Sequence, residues 1–266
     1  MKQLLVDAGN TRLKWATLRD GRLGRIHACA WREGSMARAA RALMRGCFER
    51  VLVCSVAGAA LERELRRAAR LAGLPAPQFI RSTRRAAGVR NGYVQTWRLG
   101  ADRWVAMLGA RSLQPGRPLC IVDVGTAMTL DLLDARGQHR GGLLVPGPAL
   151  MVAALLGSTA GIRRRAGRLG QGAAWRRGRA ARGGARVSGP FGRSTQAGLL
   201  SGSAMACAAL IERALLEART QLRGRPRLLL AGGGAAQVAP LLGVAHQRVD
   251  DLVLRGLVLL ATLDTR

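Results

Sequence analysis

The chain has 266 residues, 48% of them hydrophobic, which is enough apolar material for one large domain or two small ones. Its formal net charge is +28, and nearly all of the positive charge is arginine because Lys2 and Lys14 are the only lysines. No glycine-rich loop ends in a lysine, so a P-loop kinase is excluded, and the protein-kinase catalytic loop is also absent. With 3% aromatic residues, stacking platforms for single-stranded nucleic acid are scarce.

The cysteines, histidines and N-terminus predict a reduced, cytoplasmic protein without a zinc site. No Cys-x-x-Cys pair occurs among Cys29, Cys47, Cys54, Cys120 and Cys207. The histidines are widely spaced, so each is expected to be a surface or strand-end residue rather than a catalytic group; they are His27, His139 and His246. The apolar stretch after Met1 is too short for a signal peptide, and the segment 252–263 is too short to cross a bilayer.

The first half of the chain predicts the alternating strands and helices of an α/β fold. Strands are predicted at 4–6, 51–54 and 78–80, and helices at 35–50, 59–72 and 100–113. In the second of these helices, the apolar face contains Leu61, Leu65, Ala68, Ala69 and Ala72. Composition changes at 112–118, so we predict two halves, 1–114 and 115–266.

The second half repeats this pattern in outline. Strands are predicted at 119–122, 128–133, 142–145 and 227–230, and helices at 149–156 and 194–222. An arginine- and glycine-rich segment, 163–193, interrupts the pattern and is either a solvated loop, a lid or a nucleic-acid patch. The glycine run 232–234 is predicted to open a helix and to suit a nucleotide base or ribose. The run does not match a dinucleotide-binding fingerprint, because that motif requires Gly or Ala at the position of Gln237.

Two short motifs each follow one apolar strand and precede another. They are Asp7-Ala8-Gly9-Asn10-Thr11 and Asp123-Val124-Gly125-Thr126-Ala127. Each offers a carboxylate, a glycine and a hydroxyl beside backbone N–H groups, which together suit a phosphate and a cation. One copy alone could be an ordinary hairpin turn. Two copies are typical of the duplicated, ribonuclease H-like domains of actin-like ATPases and sugar kinases, so the motifs predict that α/β fold class.

Six motifs, in order along the chain, resemble those of the type III pantothenate kinases. They are Asp7-x-Gly9-Asn10-Thr11 with Lys14-Trp15; Asn91-Gly92-Tyr93 with Leu99-Gly100-Ala101-Asp102-Arg103 and Gly109-Ala110; Asp123-x-Gly125-Thr126-Ala127 with Thr129 and Asp131; Gly141-Gly142-x-x-x-Pro146-Gly147; Ser194-Thr195-x-Ala197 with Gly202; and Gly232-Gly233. The resemblance spans nearly the whole chain. It departs at Ala231, where the family commonly has threonine.

The resemblance implies the role of each site residue. ATP would be bound by Asp7, Ala8, Gly9, Asn10, Thr11, Arg12, Leu13 and Lys14, with Thr126 from the second turn. Pantothenate would be bound by Tyr93, Gly100, Ala101, Asp102, Arg103 and Thr195. Asp102 would accept the proton of the substrate hydroxyl, and Asp123 would bind a monovalent cation, K⁺ or NH₄⁺. The resemblance also implies Mg²⁺ with ATP, and a homodimer whose pocket includes residues of both subunits.

Taken without the resemblance, several of these residues have ordinary structural explanations. Asp102 could be a first-turn acid stabilised by the helix dipole, and Arg103 a cation on the helix surface. Tyr93 could be an edge-strand aromatic with its hydroxyl in water. The family also includes accessory factors for gene expression, and the arginine-rich surface keeps that alternative open. For this chain we expect nucleic-acid binding to be weak and non-specific at most.

Overall fold

The computed structural model describes residues 2–31, 35–167 and 191–263. The strands are β1 (Lys2–Ala8), β2 (Arg12–Arg19), β3 (Arg22–Leu23), β4 (His27–Ala30), β5 (Arg50–Ser55), β6 (Gln78–Ile80), β7 (Arg85–Ala86), β8 (Val89–Arg90), β9 (Leu119–Val124), β10 (Ala127–Leu133), β11 (His139–Pro146), β12 (Arg227–Ala231) and β13 (His246–Arg248). The helices are α1 (Met36–Leu43), α2 (Gly58–Leu71), α3 (Ala101–Leu113), α4 (Pro148–Ser158), α5 (Ala160–Arg165), α6 (Thr195–Leu222), α7 (Ala235–Val238) and α8 (Leu252–Leu263).

The chain forms two compact units. The first contains Met1–Leu119, Asp131–Gly141 and Asp251–Arg266, and the second contains Cys120–Leu130 and Gly142–Asp250. The predicted halves, 1–114 and 115–266, are defined by the duplicated motifs, whereas the two units are defined by which residues pack together. That division stays a prediction.

A mixed sheet forms the centre of the first unit, with the strand order β3-β2-β1-β5-β6 and with β4 paired to β2. The first predicted hairpin is confirmed, since β1 and β2 are antiparallel and Asp7 lies opposite Lys14. Strands β1, β5 and β6 are parallel neighbours. Their carboxyl ends therefore meet at one edge, which is where ligands bind in open α/β sheets.

Helices of the first unit cover this sheet with the faces that the apolar spacing predicts. Helix α2 buries Leu61, Leu65, Ala68 and Ala69, whereas Ala72 lies beyond its end and is exposed. Helix α1 ends at Leu43, well short of the predicted residue 50. The chain turns there because Gly46 has a φ of +114°, a left-handed conformation that interrupts a helix.

Helices α3 and α8 pack closely because both have a glycine at the crossing. A Cβ atom at Gly109 would lie 2.2 Å from the backbone oxygen of Leu252, and one at Gly256 would lie 2.0 Å from that of Val105. Neither distance is possible for real atoms, so both positions need glycine. This contact fixes the long axis of α3 within the first unit, and the amino end of that helix carries Asp102.

The second sheet has the strand order β11-β10-β9-β12-β13. It contains the four strands predicted in the second half, although β11 begins earlier than expected, at His139. Helix α4 begins with Pro148 at its first position, where proline needs no hydrogen-bond partner. Helix α6 begins after Ser194, whose Oγ accepts a hydrogen bond from the backbone N–H of Ala197. The helix predicted after the glycine run is only α7, of four residues.

Helix α6 is long and apolar enough to cross a membrane by length and composition alone. In its most apolar window, 39% is buried inside the structure. Core helices of soluble proteins pass the same test, so the helix is weak evidence for a membrane span.

Most of the arginine-rich segment 163–193 lies outside the described residues. Its described start, Arg163 to Arg165, closes α5. The Arg163 guanidinium donates hydrogen bonds to the backbone oxygens of Leu156 (2.7 Å) and Gly157 (2.6 Å), near the end of α4. This arginine therefore satisfies carbonyl groups that the helix leaves without partners.

Candidate active site

The first glycine turn joins β1 to β2 and is held by hydrogen bonds around Gly9. The backbone N–H of Gly9 donates to the oxygen of Arg12 (3.0 Å), and the indole Nε1 of Trp31 donates to the oxygen of Gly9 (2.9 Å). Ala8 and Leu13 are buried and anchor the two strands, whereas Asn10, Thr11 and Arg12 are exposed. The turn thus presents polar groups and backbone N–H groups to solvent, as a phosphate site requires.

The Cys54 thiol is buried near the carboxyl end of β5, and Cys54 lies opposite Asp7 in the parallel register of β1 and β5. Burial raises the pKa of this thiol well above its usual value, and the negative charges of Asp7 and Asp102 raise it further. The thiol therefore stays protonated and is not a nucleophile. Because Asp7 lies opposite Cys54 in the parallel register, the first predicted turn begins beside the carboxyl end of β5.

Asp102 lies in the first turn of α3. Its Oδ1 accepts a hydrogen bond from the backbone N–H of Arg103 (2.8 Å), and a Cβ at Gly100 would lie 2.6 Å from that oxygen. Burial raises the pKa of Asp102, against the lowering effects of the Arg103 N–H and guanidinium. A carboxylate with a raised pKa is a better proton acceptor than an ordinary aspartate, so the position suits a general base.

Arg103 is buried, with 6% of the residue exposed, and is paired with Asp131 of β10. Its Nε donates to Oδ2 of Asp131 (2.9 Å) and its Nη2 donates to Oδ1 (2.6 Å). Burial disfavours the charge of Arg103, but the Asp131 carboxylate outweighs this and raises the arginine pKa. Burial likewise opposes ionisation of Asp131, yet hydrogen bonds from His139 and Arg103 lower its pKa. Both groups are therefore charged.

Tyr93 lies on a loop that Asn91 holds in place. The Asn91 Oδ1 accepts from the Tyr93 N–H (2.9 Å), and the Asn91 Nδ2 donates to the backbone oxygens of Thr83 and Thr96 (each 3.3 Å). The Tyr93 ring stacks on His139, with 5.8 Å between ring centroids and 12° between planes. The Tyr93 hydroxyl oxygen accepts a hydrogen bond from Nη1 of Arg103 (2.9 Å).

A cleft of about 250 Å³ opens beside the start of α3. Its lining comes from the end of β5, the segment after β6 and the turn into α3, and consists of Ser55, Arg81, Ser82, Trp97, Arg98, Leu99, Gly100 and Ala101. The Ser82 hydroxyl donates to the backbone oxygen of Leu99 (2.7 Å) and so fixes the approach to α3. The volume is suitable for a small organic substrate beside Gly100 and Ala101, the residues that precede Asp102 in the sequence.

The second glycine turn lies in the second unit and is packed against other glycines. The backbone N–H groups of Gly147 and Gly234 donate to the oxygens of Thr126 (2.8 Å) and Val124 (2.9 Å). Gly232 has a φ of +92°, and a Cβ there would lie 2.3 Å from Oδ1 of Asp123 and 2.5 Å from the oxygen of Val124. The Asp123 carboxylate and this carbonyl therefore converge at a position that only glycine leaves open.

The first unit thus contains Asp7–Lys14, Tyr93 and Gly100–Arg103, and the second contains Asp123, Thr126 and Thr195. Thr195 is the first residue of α6, just after the capping Ser194. Within residues 2–31, 35–167 and 191–263, no group of three or more His, Cys, Asp or Glu side chains is placed to hold a metal ion.

The ordinary explanations for Arg103 and Tyr93 are wrong. Arg103 is a buried ion-pair partner rather than a surface cation, because Asp131 compensates its charge. Tyr93 lies outside the strands, and its hydroxyl oxygen contacts Arg103 rather than only water. His139 begins β11, as a strand-end residue, but it is 2% exposed and its Nε2 lies 2.9 Å from Oδ1 of Asp131. Asp102 is a first-turn acid, and this is compatible with a role as base.

Nothing in the sequence alone assigns a role to Asp131, His139 or Asn91. Asp131 and Asn91 belong to motifs that resemble the family's, but the sequence does not show which residues they contact. His139 immediately precedes Arg140 and the Gly141-Gly142 motif, but a lone histidine in a sequence gives no sign of burial.

Solved structures define the class of this fold. A Baf family transcriptional activator from Campylobacter jejuni aligns with a TM-score of 0.57 and 17% identity, over 98% of this chain and 99% of that one. The activator of 2-hydroxyisocaproyl-CoA dehydratase from Clostridium difficile, with bound ADPNP, aligns with a TM-score of 0.53 and 13% identity, over 100% and 95%. At such identities the similarity shows the fold alone. The fold is that of the actin-like ATPases and sugar kinases, and the predicted fold class is confirmed.

Sequence comparison defines the family within this class. The family model of type III pantothenate kinase matches residues 3–217. A type III pantothenate kinase from Herminiimonas arsenicoxydans is 41% identical over 262 residues, which cover 96% of this chain and 95% of that protein. The chain belongs to the type III pantothenate kinase family, and it is a kinase that transfers phosphate to an alcohol group. The accessory-factor alternative is not favoured.

Proposed function

We propose that this chain catalyses the ATP-dependent phosphorylation of pantothenate to 4′-phosphopantothenate, the first step of coenzyme A biosynthesis. The observation that carries the proposal is the family match over residues 3–217. The free thiols of all five cysteines agree with action in the cytoplasm.

Asp102 is proposed as the general base. Phosphoryl transfer depends mainly on positioning and on charge neutralisation, so a carboxylate can accept the hydroxyl proton late, once the oxygen has begun to bond phosphorus. Burial raises the pKa of Asp102, and the hydrogen bond from the Arg103 backbone N–H fixes the position of Oδ1. These two features support the assignment.

ATP is proposed to bind through Asp7, Ala8, Gly9, Asn10, Thr11, Arg12, Leu13 and Lys14, with Thr126 of the second turn. The exposed part of the first turn supplies backbone N–H groups, and Lys14 supplies a cation opposite Asp7. An ATP-using kinase takes its nucleotide with a divalent metal, here proposed to be Mg²⁺, which neutralises the phosphate charge. Asp7 is the carboxylate of the first turn that would face it.

Asp123 is proposed to bind the monovalent cation, K⁺ or NH₄⁺. Such cations prefer oxygen ligands, and the Asp123 carboxylate and the Val124 carbonyl converge where a Cβ at Gly232 would otherwise stand. The residues therefore fit the ion. When bound, the cation would supply positive charge near the phosphates.

Pantothenate is proposed to bind through Tyr93, Gly100, Ala101, Asp102 and Arg103, with Thr195. The cleft beside Gly100 and Ala101 supports this placement. The family relation supports a homodimer whose substrate pocket includes residues of both subunits.

A coupled ADP-release assay with pantothenate tests the proposal. We expect ADP release that requires pantothenate, ATP and Mg²⁺, and that rises when K⁺ or NH₄⁺ replaces tetramethylammonium. Mass spectrometry should identify 4′-phosphopantothenate as the product. ADP release that does not depend on pantothenate would contradict the proposed substrate.

A further inference from the structure

His139 and Asp131 form a buried chain of contacts that ends at the Tyr93 hydroxyl. His139 Nε2 lies 2.9 Å from Oδ1 of Asp131, Asp131 holds the Arg103 guanidinium by two hydrogen bonds, and Arg103 Nη1 donates to the Tyr93 oxygen. The His139 ring also stacks on the Tyr93 ring. All four residues lie in the first unit.

The direction of each hydrogen bond follows from the donors available. Asp131 is ionised and can only accept, so His139 must carry a proton on Nε2. His139 Nδ1 is buried and has no hydrogen-bond partner. A Cβ at Gly92 would lie 2.1 Å from the backbone oxygen of His139, which shows how closely the loop backbone packs against this residue. The neutral ring, with its proton on Nε2, avoids burying an unpaired N–H group.

The available donors also determine the role of the Tyr93 hydroxyl. A phenol has one proton to donate and an oxygen that accepts. Because the oxygen already accepts from a guanidinium N–H, the hydroxyl proton is left to donate elsewhere. A hydrogen bond received from a cation polarises the phenol and strengthens that donation. Tyr93 is half-buried, so a ligand can reach it.

We propose that His139 and Asp131 are positioning residues that act through Arg103 to make Tyr93 a directed hydrogen-bond donor to an acceptor oxygen of pantothenate. This inference rests on the proposed function for the identity of the substrate. In this arrangement the Arg103 charge is neutralised within the protein, so the arginine orients Tyr93 instead of serving as an unpaired counterion. The substrate is then recognised at this point by an oxygen that accepts a hydrogen bond.

The test compares two substitutions of His139 with a matched control. In H139Q the side-chain amide can still donate to Asp131, whereas H139L cannot. We expect H139L to raise the pantothenate KM about fivefold, and H139Q to restore it to within about twofold of wild type, with the ATP KM unchanged in both. H246L removes a histidine of the second unit, whose Nδ1 contacts the Val244 oxygen. It should leave both KM values unchanged.

A double variant tests whether His139 acts through Tyr93. Y93F alone should raise the pantothenate KM about tenfold, the effect of losing one good hydrogen bond. H139L/Y93F should match Y93F, rather than reach the roughly fiftyfold increase that independent effects would give. A fiftyfold increase, or a loss of kcat without a change of KM, would show that His139 has only a structural role and would overturn the proposal.

A third measurement does not depend on activity. In the ¹⁵N-histidine NMR spectrum of the wild-type chain, with the His139 signals identified by their loss in H139Q, we expect the proton on Nε2. A proton on Nδ1 would overturn the proposal, and the measurement stands even if H139L fails to fold. A wild-type chain that shows the Nε2–H form but does not phosphorylate pantothenate would refute the proposed function and leave the hydrogen-bond chain intact.

Discussion

The two glycine turns have nearly the same sequence pattern but are supported in different ways. In the first unit, a side chain supports the turn, because the Trp31 indole donates to the Gly9 oxygen. In the second unit, glycines of other segments pack directly against the turn, and this packing is possible because they have no side chain. A Cβ at Gly147 would lie 2.2 Å from the Gly125 oxygen, and one at Gly232 would lie 2.3 Å from Asp123.

This difference shows that the same local motif can be stabilised either by a hydrogen bond from a distant side chain or by close backbone packing. The turn glycines themselves are alike, since a Cβ at Gly9 would lie 3.4 Å from the Arg12 oxygen and one at Gly125 would lie 3.3 Å from the Ala127 oxygen. The difference lies around the second turn, where Gly147 and Gly232 pack so closely that neither leaves space for a Cβ. We therefore expect the first turn to tolerate small changes and the second to be intolerant of them.

The largest effect on activity should come from substitution of Asp102, the proposed general base in the first unit. Asp102→Asn should lower kcat about a hundredfold to ten-thousandfold, while the ATP KM stays nearly unchanged, because the base is lost but the phosphate turn is kept. Steady-state ADP release measures both. Near-wild-type turnover would show that Asp102 is not the general base.

The raised pKa of Asp102 also predicts a pH effect of definite sign. The base must be ionised, so kcat in the wild type should fall with decreasing pH earlier than an ordinary aspartate would allow. Because the folded state favours the protonated form, the charged form costs stability above that pKa. Asp102→Asn should thus have a melting temperature at pH 7 equal to or above that of wild type, as measured by calorimetry.

The next effect concerns the carboxylate of the second turn. Asp123→Ala should lower activity about a hundredfold and abolish the difference between K⁺ and tetramethylammonium buffers, because an oxygen ligand for the cation is lost. Rates in the two buffers, for wild type and variant, provide the measurement. A variant that still responds to K⁺ would place the cation elsewhere.

A pair of glycine substitutions tests the comparison directly. Gly232→Ala should lower the free energy of unfolding by about 1–3 kcal/mol and reduce activity at least tenfold, since its Cβ collides with Asp123 and its φ is positive. Gly9→Ala should change stability by less than about 0.5 kcal/mol. Gly157→Ala, an exposed position of α4 with open space around it, is the control and should be neutral or stabilising. Equal effects at Gly232 and Gly9 would contradict the proposed difference.

The smallest effect should come from the indole that supports the first turn. Trp31→Phe removes the hydrogen bond to Gly9 but keeps an aromatic ring, so it should cost about 1 kcal/mol and raise the ATP KM a few-fold. ADP release at varied ATP concentration measures this. If the pantothenate KM rises instead, Trp31 supports the substrate pocket rather than the phosphate turn.

Local patterns were sufficient for much of the fold. The hairpin at Asp7 and the strand at 51–54 could be predicted because each is a short apolar run bounded by turn residues. The end of α1 could not, because Gly46 gives no sign in the sequence of its left-handed φ. The predicted roles of Asp102 and Asp123 came from a resemblance, and they stay predictions.

By itself, the sequence determined the family, the strand-turn-strand motifs and the candidate base, because these depend on residues close together in the chain. Only the tertiary structure decided the state of Arg103, His139 and Tyr93. Asp131 lies 28 residues beyond Arg103, and burial of the pair depends on how α3 and β10 pack. The Arg103 charge, which the sequence alone would place on the surface, is thus compensated inside the protein, since an arginine buried without a carboxylate beside it would be strongly destabilising.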